Sequence, residues 1–185
     1  MFVIFVTIFL FSLVQPVSAL EIDGKDLPDS INIADTPLIL NGAGLRTKFF
    51  FNIYAGGLYL PAPSHDPAAI INADEPMLVR MYFIYDGVSA KKLKNGWEEG
   101  FAVTAPDADE KLRQAMASFV ALFDKETREN DVYDISWRPG KGVAVVFNGK
   151  FLGTIPGLDF KKALFGIWLG KDPVDDDLKE GMLGR

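Results

Sequence analysis

The segment GAGLRTKFFFNIYAGGLYLP, residues 42–61, contains the side chains with the clearest potential for chemistry. Its one arginine, Arg46, lies among apolar and aromatic residues, and Tyr54 follows eight positions later. A guanidinium is costly to bury unless it meets an anion or acceptors, and its planar fork matches a carboxylate. The pattern therefore indicates an anion-binding arginine. The alternatives are an internal ion pair with one of the chain's own carboxylates, or simple exposure beside a turn at Gly44.

Tyr54 is a weaker candidate when it is taken alone. A tyrosine in a strand is commonly a core residue, and Tyr59 in the same segment is of that kind. Along a straight strand, Arg46 and Tyr54 would be about 26 Å apart. They can share one ligand only if the chain folds back between them, so their convergence is a hypothesis that depends on a hairpin.

The composition excludes several classes of site. The chain has no cysteine and a single histidine, His65, which rules out thiolate chemistry and leaves little for a zinc hydrolase or a Ser-His-Asp triad. The net charge is -6 and no basic run stands out, which argues against nucleic acid as a partner. No acidic loop has the spacing of metal ligands, so we predict neither a metal nor a cofactor.

The amino-terminal residues predict export. Residues 2–14 are almost wholly apolar, and Val17-Ser18-Ala19 offers the small residues that a signal peptidase accepts. The apolar run is shorter than the roughly 20 residues of a membrane span. We therefore predict a signal peptide over residues 1–19 and one periplasmic domain over residues 20–185, with no transmembrane segment in the mature chain. An uncleaved anchor is the alternative, because no Lys or Arg precedes the apolar run.

Apolar runs bounded by turn residues predict strands in both halves of the mature chain. They comprise residues 38–40, 49–55, 58–60, 78–85, 132–137, 142–147 and 151–155. Asn148-Gly149 is the strongest hairpin signal. Both faces of the 78–85 strand are mostly apolar, and its polar residues Arg80 and Tyr82 would reach solvent at an edge or line a cleft.

Helical periodicity predicts two consecutive helices in the middle of the chain and two near its end. Ser89 would cap the first, and Asp107 with Glu110 has capping-box spacing for the second. A third is expected over residues 159–169, and Asp172-Pro173 would start a short acidic helix. Strands around a helical pair predict an α+β fold in which helices cover one face of an antiparallel sheet, with a ligand cleft between the layers.

Two segments together resemble the chalcone isomerase family, and most closely its secreted bacterial chalcone-isomerase-like members. They are GAGLRTKFFFNIYAGGLYLP and LFGIWLGKDPVDDDLKEGMLG, residues 164–184, and the resemblance extends over residues 38–183. It implies an open-faced β-sandwich, a large antiparallel sheet with a layer of helices on one face. It also implies a cleft between sheet and helices that takes a small ligand.

The resemblance implies roles for individual residues. In the plant enzymes an arginine of the first motif stabilises the phenolate of a chalcone, and fatty-acid-binding relatives use it with a tyrosine to hold a carboxylate. Arg46 and Tyr54 fall on these two positions. Other polar positions of the plant enzymes are Leu93, Gly100 and Ile167 here, and none has a side-chain donor. Because each lost oxyanion donor can cost roughly 100-fold in rate, the resemblance favours binding over catalysis.

We therefore expect an exported, non-catalytic protein that binds a fatty acid or a similar amphipathic anion. Arg46 and Tyr54 would hold the head group. The expected cleft wall consists of Leu93, Trp97, Ile167 and Trp168. One alternative is an isomerase of the intramolecular lyase type, with Arg46 stabilising an oxyanion or phenolic ligand. The other is an envelope interaction module whose cleft is closed by Trp97 and Trp168.

Overall fold

An antiparallel sheet of seven strands forms the centre of the computed structural model, which describes residues 19–185. The strands are β3 (Ser30–Ile33), β4 (Thr36–Lys48), β5 (Phe51–Leu60), β6 (Met77–Phe83), β7 (Val132–Arg138), β8 (Gly142–Phe147) and β9 (Lys150–Ile155). Each strand pairs with the next one along the chain, so the spatial order equals the sequence order. A separate hairpin consists of β1 (Ala19–Ile22) and β2 (Lys25–Pro28). The predicted signal peptide, except for Ala19, lies outside the described residues.

Five helices of the described residues occupy the connections and the carboxyl end. They are α1 (Pro67–Asn72), α2 (Ala90–Thr104), α3 (Glu110–Ala121), α4 (Leu158–Leu169) and α5 (Asp176–Met182). Buried residues of α2, α3 and α4 share one core cluster with the sheet. The predicted α+β, open-faced β-sandwich is therefore confirmed. No helix of residues 19–185 has the length and apolar character that a membrane crossing needs.

The side chains of β6 alternate between the helix-covered face of the sheet and its opposite face. Met81 and Phe83 are buried in the cluster beneath the helices, whereas Leu78 belongs to a smaller cluster on the other face. Arg80 lies on that other face, where its Nε and Nη2 donate to the Asp134 carboxylate at 2.7 and 2.8 Å. Since successive side chains alternate between faces, Arg80 does not line the helix-side cleft. Nor does it lie at an edge, because β6 pairs on both sides.

The glycines before Arg46 do not form the expected turn, because they belong to β4. They let α5 pack directly against the strand backbone. A Cβ on Gly44 would lie 3.0 Å from the Cα of Leu178, and one on Gly181 would lie 2.5 Å from the carbonyl oxygen of Ala43. Only residues without a side chain permit this approach. The two segments that carry the family resemblance therefore pack against each other.

The expected strand over residues 49–55 is wrong at its start, since the chain turns at Phe49 and Phe50. Phe49 adopts a left-handed conformation with φ of 58°, which allows the reversal. The two strands expected on either side of Gly56 are one continuous strand, β5. This hairpin brings the segment after the turn back alongside the arginine.

Two predicted helix starts are also corrected by the capping hydrogen bonds. Asp109, rather than Asp107, caps α3, because its Oδ1 accepts from the amide of Leu112 at 2.8 Å. Asp175, rather than Asp172-Pro173, caps α5. The predicted Ser89 cap of α2 and the Asn148-Gly149 hairpin are present as expected.

Candidate ligand-binding site

Arg46 and Tyr54 lie directly opposite each other in the β4–β5 register. Along one straight strand the two residues would be about 26 Å apart. The turn between β4 and β5 makes them a cross-strand pair instead, with Cβ atoms about 5 Å apart. Directly opposed residues of an antiparallel pair point to the same face. The fold thus meets the condition on which the convergence of these two residues depended.

A cavity of about 500 Å³ opens between this end of the sheet and the helices α2 and α4. Its volume is in the range of sites that hold small molecules. The two head-group candidates Arg46 and Tyr54 line it. All four expected wall residues also line it, namely Leu93, Trp97, Ile167 and Trp168. Further apolar lining comes from Ile53, Met81, Tyr85, Val88 and Val174.

The Tyr54 hydroxyl is held by Trp168, whose Nε1 lies 3.0 Å from it. An indole nitrogen can only donate, so the hydroxyl oxygen is the acceptor and its own proton is not used in this bond. No other hydrogen bond of this hydroxyl is found within residues 19–185. Tyr54 therefore presents an O–H donor at the cavity wall, in an orientation set by Trp168.

Burial keeps Tyr54 in its neutral, donating form. Desolvation is the largest influence and raises the pKa of Tyr54 to about 12. The Trp168 hydrogen bond and the positive charge of Arg46 lower this pKa by a smaller amount. At neutral pH the hydroxyl is protonated. It can donate to an oxyanion and does not itself contribute negative charge.

Arg46 makes the internal ion pair that was the alternative to a ligand role. Its Nη1 donates to Asp175 Oδ2 at 3.2 Å and also contacts the Thr47 carbonyl, and its side chain is 17% exposed. Asp175 in turn accepts from the Thr47 amide at 3.0 Å and caps α5 through the Leu178 amide at 3.0 Å. These bonds use one nitrogen of the guanidinium. Its other nitrogens have no partner within residues 19–185. The guanidinium is therefore held in place while these nitrogens can still donate to a ligand.

The charges around the cavity favour an anion. Among the described residues, three cations, Arg46, Lys48 and Lys92, and one carboxylate, Glu99, line it. This local excess of positive charge contrasts with the net charge of -6 of the whole chain. Sequence reasoning missed both lysines, because Lys48 lies in the same motif as Arg46 but nothing local marked it as a site residue, and Lys92 lies far away in the sequence. Only the fold brings Lys92 of α2 to this cavity.

Trp97 contributes a second indole to the wall, packed edge-on against Trp168 with ring centroids 5.4 Å apart. Its Nε1 is buried and has no hydrogen-bond partner within residues 19–185. A buried donor without a partner is unfavourable in a folded protein. Trp97 therefore lines the cavity and also carries a buried indole donor without a partner among the described residues.

Three further positions singled out by the family resemblance, Leu93, Gly100 and Ile167, contribute apolar packing. Leu93 and Ile167 line the cavity, and a Cβ on Gly100 would lie 2.8 Å from Ile167 Cδ1. The space beside Gly100 is thus filled by Ile167. A polar side chain at position 100 would therefore require the Ile167 side chain to shift.

Three other features of the described residues were candidates for a site: a second cavity, clusters of metal-ligating side chains, and His65. A second cavity, of about 730 Å³, lies between the α2–α3 connection and α4 and contains none of the predicted site residues. No three acidic or histidine side chains of residues 19–185 come together as metal ligands would. His65 contacts the carbonyl oxygen of Leu183.

Comparisons with known proteins show the fold and, through a family model, the family. A curated relative, Fatty-acid-binding protein 1 of Arabidopsis thaliana, is 23% identical over 82% of this chain. The match covers 64% of that protein, so the chain spans less than two thirds of the length of this relative. A crystal structure of an Arabidopsis thaliana fatty-acid binding protein superposes with a TM-score of 0.76 at 19% identity, covering 90% of this chain and 96% of that one. The family model described as chalcone isomerase-like matches residues 19–184. This chain belongs to the chalcone isomerase-like family.

Proposed function

We propose that this protein binds a fatty acid or a similar amphipathic anion and performs no reaction on it. One observation carries the proposal: Arg46 and Tyr54 are paired across β4 and β5 on the wall of a largely apolar cavity. The name of the Arabidopsis relative, a fatty-acid-binding protein, supports the same ligand class.

The head group would bind through charge-assisted hydrogen bonds. The guanidinium nitrogens of Arg46 that do not contact Asp175 would donate to one carboxylate oxygen, and the Tyr54 hydroxyl would donate to the same carboxylate. Lys48 and Lys92 add positive charge to the same cavity. Since Asp175 offsets part of the Arg46 charge, these lysines matter for attracting an anion.

The tail would extend along the apolar wall formed by α2 and α4. Each buried CH₂ contributes about 0.8 kcal/mol before the cost of ordering the chain is subtracted. A chain of medium length therefore gains useful affinity from burial alone. The head group adds selectivity for an acid over an uncharged analogue.

The apolar wall argues against isomerase activity. An enzyme of this kind must direct several donors at the developing oxyanion, and removing one can cost roughly 100-fold in rate. Here Leu93 and Ile167 occupy the cavity wall at two of those positions, and Ile167 fills the space beside Gly100. Arg46 and Tyr54 can stabilise an anion, but Leu93 and Ile167 add no side-chain donor beside them.

The closed-cleft interaction module is also disfavoured. That alternative required Trp97 and Trp168 to fill the space between the layers. Both indoles instead form part of the wall of a cavity of about 500 Å³. We retain ligand binding as the function of this region.

We further propose that the protein acts after export, with the signal peptide removed near Ala19. The apolar run over residues 2–14 and the small residues before Leu20 support this location. The mass and amino-terminal sequence of protein recovered from a periplasmic extract test it. A recovered protein that retains residues 1–19 would contradict cleavage.

The binding proposal is tested by titrating the protein with a saturated fatty acid and with the alcohol of the same chain length. Trp97 and Trp168 line the cavity, so their fluorescence reports its occupancy. We expect the wild type to prefer the acid about tenfold or more, since charge-assisted hydrogen bonds contribute about 1.5–3 kcal/mol. Arg46→Ala should remove this preference while leaving alcohol binding unchanged.

Arg138→Ala is the matched control, because Arg138 is exposed at the end of β7 and does not line the cavity. It should bind both ligands as the wild type does. Equal affinity of the wild type for acid and alcohol would reject the head-group role of Arg46. Rapid turnover of a chalcone by the wild type would reject the non-catalytic part of the proposal.

A further inference from the structure

The turn between β4 and β5 exposes three consecutive phenylalanines. Phe49 is 84% exposed, Phe50 96% and Phe51 54%. A single exposed apolar side chain is ordinary, but a contiguous group at the tip of a projecting hairpin marks an interaction surface. We call residues 49–51 the aromatic tip.

The backbone of the aromatic tip is unfavourable for its sequence. Phe49 has φ of 58°, a region that glycine and asparagine adopt more readily than a bulky aromatic residue. The side chain gains little from the fold in return, since it is almost fully exposed. The exposure of Phe49 and Phe50 therefore brings no folding benefit that would explain an aromatic residue at either position.

The aromatic tip lies at the mouth of the proposed ligand cavity. Phe49 and Phe51 contribute to its lining, and so does Val174, which is 37% exposed. Phe51 packs edge-on against Tyr85 with ring centroids 5.4 Å apart, and Tyr85 also lines the cavity. Of the eight large apolar side chains exposed in residues 19–185, four are at this mouth or on the tip. The apolar surface is thus continuous from the tip into the cavity.

Lysines line the same cavity. Lys48 immediately precedes the aromatic tip and Lys92 of α2 also lines the cavity, with Glu99 as the one carboxylate among the described lining residues, while the chain as a whole is acidic. Lys91 and Lys94 accompany Lys92 in the first turns of α2. Apolar side chains bordered by lysines match the interface of an anionic bilayer, where the rings enter the acyl boundary and the ammonium groups meet phosphates.

We propose that the aromatic tip docks this protein on anionic phospholipid bilayers, so that the cavity mouth faces the membrane from which an amphipathic ligand would enter. The docking itself depends on the tip and the neighbouring lysines. The exchange of ligand with the bilayer rests on the proposed function of the cavity. A second copy of the chain is the competing occupant of such a surface, but Lys48, directly beside the tip, would be repelled by the same lysine of an identical tip.

The test is cosedimentation of Leu20–Arg185 with vesicles of phosphatidylglycerol and phosphatidylcholine in equal parts, and with vesicles of phosphatidylcholine alone. This segment is used because the buried core begins at Leu27 and the family match begins at residue 19. We expect binding to the anionic vesicles, weaker binding to the neutral ones, and release from the anionic vesicles as salt is raised.

Phe50→Asp is the informative variant, because Phe50 does not line the cavity. It should lower partitioning to anionic vesicles about tenfold or more and leave fatty-acid affinity in solution unchanged. Phe50→Trp should restore partitioning, since tryptophan favours the interface. Phe151→Asp is the matched control: Phe151 is 60% exposed on the β8–β9 hairpin and does not line the cavity.

Vesicle binding and ligand binding can fail separately. A wild type that binds fatty acid but no vesicles overturns the docking proposal and leaves the proposed function in place. An Arg46→Ala variant that loses fatty acid but still binds vesicles supports docking. Equal losses in Phe50→Asp and Phe151→Asp would overturn it. So would a wild-type dimer that Phe50→Asp dissociates without changing vesicle binding.

Discussion

The indole Nε1 of Trp168 lies 3.0 Å from the hydroxyl oxygen of Tyr54, and this bond fixes the hydroxyl as an acceptor toward α4. The proton of the hydroxyl is consequently available to a group on another side. Arg46 is the cross-strand neighbour of Tyr54. A neutral donor and a cation are therefore placed together by three elements, β4, β5 and α4.

Tyr54→Phe should weaken both fatty-acid binding and the fold. Loss of the donor should reduce affinity for a fatty acid about tenfold, and Trp168 Nε1, left without an acceptor, should cost about 1–3 kcal/mol of unfolding free energy. Titration of Trp fluorescence and urea unfolding measure the two effects. Tyr59→Phe is the control, because the buried Tyr59 hydroxyl has no partner within residues 19–185. A larger loss of stability in the control would contradict the role of the Trp168 bond.

Stability should fall at high pH because of the same tyrosine. Its pKa is about 12 in the folded protein and 10.0 ordinarily, so between these values the folded state holds the proton more tightly than the unfolded state. The contribution is complete below pH 10 and is lost as pH rises toward 12, up to about 3 kcal/mol. Burial also raises the pKa of Tyr59 and Tyr133. The difference between wild type and Tyr54→Phe, followed by denaturant unfolding at each pH, isolates Tyr54. Parallel curves for the two proteins would refute this assignment.

Asp175→Asn should strengthen the binding of a fatty acid. The substitution keeps a residue that can cap α5 but removes the negative charge that faces Arg46. A ligand carboxylate then meets less repulsion, and its affinity should rise about threefold to tenfold while alcohol affinity changes little. Asp176→Asn, at an exposed position in the first turn of α5, should have no such effect. Weaker acid binding by Asp175→Asn would instead mean that Asp175 is needed to hold Arg46 in place.

Gly181→Ala should separate α5 from β4. The added methyl group would lie 2.5 Å from the Ala43 carbonyl oxygen, and relieving that overlap should cost about 1–3 kcal/mol of unfolding free energy. Gly96→Ala on α2 is the control, because the added Cβ would have no described neighbour within 4 Å and so causes no overlap. It should stabilise the helix by roughly 1 kcal/mol. Urea unfolding of both variants tests the pair, and a Gly181→Ala variant as stable as the wild type would contradict this account of the glycine motif.

The general architecture could be predicted from the sequence, because it depends on local patterns. Alternation and turn residues located most strands, and the Ser89 cap and helical spacing located α2. The resemblance of two segments then supplied the sheet-and-helix arrangement. What local patterns could not show was that these two segments contact each other through Gly44 and Gly181.

The site was only partly predictable for the same physical reason. The cavity brings together six residues that the sequence analysis had named, but their meeting depends on a turn at Phe49-Phe50 that reads as strand by composition. Phenylalanine favours strands, and nothing local indicates a left-handed residue there. The pairing of Arg46 with Asp175 could not be predicted from local sequence either, because the two residues are 129 positions apart. The acidic residues expected at the start of this helix favour its amino terminus, and they gave no signal that Asp175 also pairs with Arg46.

The identity of the molecule bound by the purified protein tests the central claim most directly. Leu20–Arg185, its Arg46→Ala variant and the Arg138→Ala control would be isolated, extracted with organic solvent and analysed by mass spectrometry. We predict a stoichiometric fatty acid on the wild type and on Arg138→Ala, and its loss from a folded Arg46→Ala. The same fatty acid in equal amount on Arg46→Ala, or none on the wild type, would contradict a carboxylate site built on Arg46 and Tyr54.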